Sequence, residues 1–316
     1  MKTNPQPVGS ENPILVTGSH RSGTTWVGKM LCAGAESGYI SEPLNVHHRL
    51  GVLRIPVQHW YTYICDDNQD DYLPAFQETL RFQYHPKKEI TSIRSLKDFG
   101  RFLRDWNNFY SARRRNLRPL IKDPFAVFSA PWFQDKLNCQ VVIVVRHPAP
   151  FASSLKRLGW SFDFSDLLAQ PLLVRDRLGT FKSELEMIKD KEVDVIDQAC
   201  LLWRIIYSNV AEYFSKYPQF KIVRHEDLST SPVNNFQALY KNLGLTFDPR
   251  VEEKIVQTTN SRTPELEQAS SPHNIRRNSL QNLSSWKQHL TQGEIARIEG
   301  QTEDIASRFY PEGSPV

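Results

Sequence analysis

Residues 18–25 read GSHRSGTT, directly after the apolar run ILVT and directly before a helical stretch that opens WVGKML. Two glycines bracket four residues and a pair of threonines follows. A chain that turns sharply from a buried strand into a helix at this point aims the backbone N–H groups of residues 21–25 into one concavity. Such a nest, with the helix dipole behind it, favours a phosphate-sized anion. Gly18 and Gly23 allow the turn and a close backbone approach, and Ser22, Thr24 and Thr25 add hydroxyl donors. A well-made helix N-cap is the plain alternative for the same residues. What the loop lacks is informative. A nucleoside-triphosphatase loop needs a lysine to span the β and γ phosphates and a hydroxyl to ligate Mg²⁺, and Thr24 stands in the lysine's place. It also needs a carboxylate at the end of a neighbouring strand, where the run VVIVV ends instead in Arg146. Both metal-handling parts are missing. The expected ligand is a phosphorylated molecule whose reaction runs without bound metal.

The elements that must position this loop are also visible. The runs ILVT (14–17), PLIK (119–122), VVIVV (141–145) and FKIV (220–223) are apolar without alternation, the mark of strands covered on both faces. Helical periodicity follows in residues 24–34, 149–158 and 233–243, and a long helix is expected over 194–216. This order predicts an α/β protein, a three-layer sandwich with a central parallel sheet. Ligands of such sheets bind outside the carboxyl ends of the strands. Residues 46–118, rich in aromatics and cut by prolines, and residues 160–192 fit the pattern poorly. They read as irregular insertions for acceptor recognition.

The chain has 316 residues, 40% hydrophobic and 23% charged, with a net charge of +4 and a mean hydropathy of −0.48. These are the values of an ordinary soluble globular protein, and the modest charge requires no general affinity for nucleic acid. No apolar run approaches the ~20 residues of a membrane span. The opening MKTNPQPVGSENP lacks the apolar segment of a secretory signal. Residues 1–12 are therefore expected as a disordered lead-in, 13–316 as a single domain, and the location as cytoplasmic. Cys32, Cys65, Cys139 and Cys200 are widely spaced, without a CxxC, and read as reduced thiols. The clusters Arg113–Arg115 and Arg276–Arg277 read as solvated faces unless their surroundings say otherwise.

The run RSGTTW (21–26) resembles the 5′-phosphosulfate loop of sulfotransferases that use 3′-phosphoadenosine 5′-phosphosulfate (PAPS). VVIVVRHPAPFASSLKR (141–157) resembles the second signature of that family, in which an arginine at a strand end and a serine eight positions later bind the 3′-phosphate; Arg146 and Ser154 keep that spacing. IVRHEDLSTSP with FQALYKNLGLTFDP (222–249) and RRNSLQNLSSWKQHLT (276–291) are similar to two later family segments. The resemblance covers most of residues 13–310 and implies a P-loop-like sulfotransferase fold. Sulfuryl transfer moves a less charged group than phosphoryl transfer does, so cationic side chains can take the metal's part.

The resemblance implies roles residue by residue. Arg21, where carbohydrate-directed members typically carry arginine, contacts the 5′-phosphosulfate and steadies the leaving group. Ser22, Gly23, Thr24 and Thr25 hold the 5′-phosphate, with Trp26 beside the adenine or in the core. Arg146 and Ser154 take the 3′-phosphate, and Arg277, helped by Arg276 and Ser279, closes over it, although the glycine that the family carries near that position is absent. A histidine base used by some members is replaced by Pro124 in LIKDPF. SEPLNVHH (41–48) resembles the Glu-Pro element of carbohydrate-directed and several bacterial members. It makes Glu42 the expected general base, with Asp123, His47 and His48 as rivals and Lys122 neutralising the transferring group. His20 reads as a capping residue. The implied partners are PAPS, without a metal, and a hydroxyl-bearing acceptor that is a carbohydrate, a glycolipid or another small molecule. A small-molecule kinase with a degenerate loop and a non-catalytic nucleotide-binding module are the competing readings.

Overall fold

A computed structural model of the chain describes residues 12–90, 93–189, 191–259 and 284–311. Five parallel strands form one sheet in the order β2-β3-β1-β4-β5. They are β1 (Ile14–Gly18), β2 (Ser37–Ser41), β3 (Arg118–Lys122), β4 (Gln140–Val145) and β5 (Lys221–Arg224). β1 lies at the centre, with Leu15 opposite Ile121 of β3 on one side and opposite Val141 of β4 on the other.

Alternate side chains of each central strand go to opposite faces, and both faces are covered. Leu15, Ile121, Ile143 and Val145 pack into one core, with the helices Pro148–Leu158 and Val195–Lys216. Val16, Leu120, Val142 and Val144 pack into the other, against the helices Thr24–Leu31 and Pro232–Leu243. Burial on both sides is why these strands read as unbroken apolar runs. This is the α/β fold with helices on both faces of a parallel sheet that the sequence implies.

Two expectations need correction. β2 (SGYIS) was not among the expected strands: it is short, carries a glycine and lacks a β-branched run. Gly38 is needed there, because a Cβ would stand 2.5 Å from the Phe82 ring. The segment 46–118 is also less irregular than its prolines suggest, since it holds the helices Gln69–Leu80, Pro86–Ile90 and Leu96–Arg114. Pro86 begins a helix, where its missing N–H costs nothing. The segment 160–192 holds the short helices Ser165–Leu168, Pro171–Arg177 and Lys182–Ile188. The two insertions bind each other: Asp166 accepts from the Trp60 N–H at 2.6 Å, and Gln170 Oε1 from the Tyr63 N–H at 2.9 Å. At the N-terminal boundary, Arg118 Nε donates to the Asn12 carbonyl at 2.6 Å.

Candidate active site

Because all five strands run the same way, their carboxyl ends open onto one edge of the sheet. β1 delivers the loop 18–25 there, β2 delivers Glu42, β3 Lys122 and Asp123, β4 Arg146, and β5 Arg224 and His225. Residues up to 207 positions apart in the chain thus share one rim, and sheet topology alone brings them together.

The loop is built for close approach. Gly18 has φ 151° and Gly23 has φ 96°. A Cβ on Gly18 would stand 2.4 Å from the Val144 carbonyl oxygen, and one on Gly23 2.5 Å from His225 Nδ1. Gly23 caps the helix Thr24–Leu31, whose first N–H groups have no intrahelical carbonyl to reach. Thr24 is buried behind the loop, and Thr25 and Trp26 are half-buried. Trp26 meets His225 and Phe236 edge-on at 5.6 and 5.2 Å, so one part of it belongs to the core. The Ser22 hydroxyl is fully buried and donates to the Ser19 carbonyl at 2.6 Å, closing the turn rather than reaching outward. The Ser19 hydroxyl in turn pairs with Tyr207 at 2.9 Å.

On the β4 side three of the expected anion-binding residues meet. Arg21 Nε donates to Ser154 Oγ at 3.0 Å, and Arg146 Nη1 donates to the Arg21 carbonyl at 2.7 Å. The Arg146 carbonyl accepts from Trp203 Nε1 at 2.8 Å, which fixes the strand end. Arg21 itself has φ 65°, a left-handed conformation that costs a non-glycine residue about 1 kcal/mol. Its guanidinium lies over the Trp160 ring at 5.6 Å. Arg277, with Arg276 and Ser279, lies outside the described residues.

On the β3 side stands the acid–base pair. Lys122, whose side chain is 1% exposed, donates through Nζ to Glu42 Oε1, and Asn45 Nδ2 donates to Glu42 Oε2 at 2.8 Å. Glu42 has φ 45° and immediately precedes Pro43. A residue before proline ordinarily adopts extended backbone, so this left-handed turn is strain held in place at a candidate functional site.

Asp123 positions the turn. It is fully buried, accepts from the Leu44 N–H at 2.5 Å and the Phe125 N–H at 2.9 Å, and so holds the chain that carries Glu42. With both oxygens occupied it faces the backbone. The other rivals to Glu42 are placed elsewhere too. His48 turns its ring nitrogens to the carbonyls of Asn45 at 3.0 Å and Ile55 at 2.8 Å, and His47 is exposed against the edge of Trp60. Burial, with the nearby Glu42 charge, raises the Asp123 carboxyl from 3.8 to about 7. The folded state therefore binds the Asp123 proton more tightly than the unfolded chain does. Its contribution to stability is complete below pH 3.8 and is lost as pH rises through about 7. Asp123→Asn cannot lose that proton. Its Tm relative to wild type is expected to rise steadily between pH 4 and pH 7; a constant difference across that window would refute the buried, proton-binding carboxyl.

Sequence reasoning placed the rim residues but missed its aromatic wall. His20 Nδ1 bonds the Tyr61 hydroxyl at 2.7 Å, and the His20 ring lies among Phe125, Phe151 and Trp160 at 6.3, 5.7 and 6.3 Å. Burial, then Arg21, lowers its pKa to about 4, so the imidazole is neutral at pH 7. His225, against the loop glycine, was missed as well. No local pattern marks these residues, because they come from separate insertions and a different strand.

A strand-to-helix loop at the centre of a parallel sheet, with Arg21 and Arg146 on one side and the Glu42–Lys122 pair on the other, has the architecture of the P-loop-like α/β class. The family model described as "Sulfotransferase domain" matches residues 11–304, and the chain belongs to that family. The human protein "Carbohydrate sulfotransferase 5" is 24% identical, over 93% of this chain and 76% of its own length. Two similar solved structures are the sulfotransferase domain from the curacin biosynthetic pathway (18% identity, TM-score 0.46, 93% of this chain and 98% of that one) and that from the Synechococcus PCC 7002 olefin synthase (17%, 0.47, 98% and 97%). The mouse sulfotransferase SULT7A1 complexed with PAP is 12% identical, with a TM-score of 0.47 over 94% and 85%.

Proposed function

We propose that this sulfotransferase moves a sulfuryl group from PAPS to an acceptor hydroxyl, giving a sulfate ester and adenosine 3′,5′-bisphosphate. The observation that carries the reading is the Arg21–Ser154–Arg146 cluster beside the loop, opposite the Glu42–Lys122 pair. The loop glycines let the turn pack directly against the Val144 carbonyl and the His225 ring, which fixes the loop's position at the strand ends. The residues present fit a ligand with two separate anionic groups: the loop N–H groups, Thr25 and Arg21 toward the 5′ end, and Arg146 and Ser154 toward the 3′-phosphate. Glu42 then takes the acceptor's proton as the new oxygen–sulfur bond forms and the bond to the 5′-phosphate breaks. Lys122 and Arg21 supply positive charge on either side of the transferring group.

The curated relative's name and the Glu-Pro element support a carbohydrate-type acceptor. Trp160, 43% exposed beside Arg21, offers an aromatic surface against which a sugar can pack. All four cysteines are free thiols, which supports the cytoplasmic reading. Thermal-shift titration tests the donor assignment. Adenosine 3′,5′-bisphosphate is expected to raise Tm by several degrees at saturation, and ADP with Mg²⁺ to do much less. Stabilisation by ADP–Mg²⁺ alone would favour a kinase instead. Tight bisphosphate binding without transfer to any hydroxyl would reduce the protein to a binding module.

A further inference from the structure

The helix Leu96–Arg114 is amphipathic twice over. Ser95 caps its start, accepting from the Asp98 N–H at 3.1 Å. Its inner face is anchored: Phe102 and Phe109 are each 4% exposed, and they pack with Tyr84 and Phe82. Asp105 pairs with Arg49 at 3.6 Å, and the Asp98 carbonyl accepts from Arg49 Nη2 at 3.3 Å. These contacts account for the helix's place in the fold.

A second apolar stripe points the other way. Leu96, Phe99, Leu103, Trp106 and Tyr110 follow one another at alternating three- and four-residue steps, which puts them on one line of the helix. They are 44 to 91% exposed, and Ile90, just before the helix, is 58% exposed. Phe99 and Trp106 touch the buried Phe102 ring from its flank, at centroid distances of 6.1 and 5.4 Å, and keep their outer faces open. Exposed basic residues flank the stripe: Lys97 and Arg104 along one side, Arg113 and Arg114 at its C-terminal end. The helix's two acids, Asp98 and Asp105, are only half-exposed, each beside an arginine. The outward surface is therefore apolar and cationic. At about 1.5 Å per residue it is also a straight ridge of roughly 28 Å, a convex surface with no groove for a narrow ligand.

We propose that this ridge docks the protein on an anionic lipid surface, with the stripe seated in the headgroup boundary and the basic residues on lipid phosphates and carboxylates. Tryptophan, tyrosine and phenylalanine beside arginine and lysine are the composition of interfacial helices, and the cationic border complements an anionic leaflet. A second copy of the chain is the poorer occupant: pairing two such ridges sets arginines against arginines. The inference is independent of the donor and acceptor assigned to the active site.

Vesicle co-sedimentation of the full chain tests it. The protein is expected to pellet with phosphatidylcholine vesicles containing phosphatidylserine, not with phosphatidylcholine alone, and to be released by salt. Arg104→Gln with Arg114→Gln removes two surface charges beside the stripe and is expected to weaken binding about thirtyfold. Leu103→Ser with Trp106→Ser is expected to weaken it at least as much. Because all four side chains are exposed, melting temperatures should stay within a degree or two of wild type. Failure to pellet with the anionic vesicles overturns the proposal, as does equal binding to neutral ones. So does a variant pair that folds and still binds like wild type, or a lipid-free dimer that Leu103→Glu converts to monomer.

Discussion

Glu42→Gln is expected to lower turnover about a thousandfold at saturating donor and acceptor, within the span that general-base removal costs. The substitution keeps the shape of a side chain held at both oxygens, by Lys122 and by Asn45, and removes only the ability to take a proton. The affinity for adenosine 3′,5′-bisphosphate should stay within about threefold of wild type, since the residues proposed to hold the nucleotide lie on the β4 side of the loop. One side effect is built in. Lys122 is almost completely buried, and an amide leaves its ammonium without a counter-charge, at a cost of about 3 kcal/mol. The double variant Glu42→Gln with Lys122→Met removes both members of the pair. It should recover most of that stability and none of the turnover. A recovery of turnover along with stability would show that Glu42 acts only by keeping Lys122 in place. Turnover of the single variant within tenfold of wild type would exclude it as the base.

The strained turn at Glu42 bears on the same point. A left-handed residue ahead of a proline is held by the Glu42 N–H donating to the Lys122 carbonyl at 2.8 Å and by Asp123 gripping the Leu44 N–H. The end of β3 thus dictates the position of a side chain at the end of β2 through one backbone hydrogen bond and one from a backbone N–H to a carboxylate. Asp123 is bonded to two backbone N–H groups, whereas Glu42 is bonded to the side chains of Lys122 and Asn45, and that difference in partners sets the two acids apart.

What was legible in the sequence was what is local. The loop, the strand ends at Lys122 and Arg146, and the Arg146–Ser154 step each lie within one short run, where residue type and spacing carry the information. β2 was not legible because its partners, not its own five residues, make it a strand. The helix Leu96–Arg114 was hidden for a different reason: apolar residues on two faces blur the single-face period that marks an amphipathic helix. Trp160, Trp203, Tyr207 and Tyr61 reach the rim or brace it through contacts between distant segments, such as Ser19 with Tyr207 at a separation of 188 residues. Nothing in the sequence near any one of them announces that. Ser22 shows the opposite error. The residue type was right for a phosphate donor, yet its hydroxyl closes the turn that aims the neighbouring N–H groups.

Arg146→Ala is expected to weaken binding of adenosine 3′,5′-bisphosphate about a hundredfold, the worth of a charge-assisted contact to phosphate in a partly dry site. The guanidinium also donates to the Arg21 carbonyl. Its removal therefore loosens the loop and must weaken any ligand the loop holds, so the absolute loss proves little. Adenosine 5′-monophosphate supplies the correction, because it uses the loop but has no 3′-phosphate. Its affinity should fall only about threefold, the share that loop loosening accounts for. Ser154→Ala loses a neutral hydroxyl contact worth about 1 kcal/mol, which predicts a fivefold loss for the bisphosphate. Arg146→Lys keeps the charge but not the planar fork, and it should fall between the two. Titration of the three variants with both nucleotides separates the roles of the strand end. Parallel losses for the two ligands would make Arg146 a brace for the loop and leave the 3′-phosphate to other residues. A loss confined to the bisphosphate makes it the group by which the site distinguishes a 3′-phosphorylated donor from every other adenosine nucleotide.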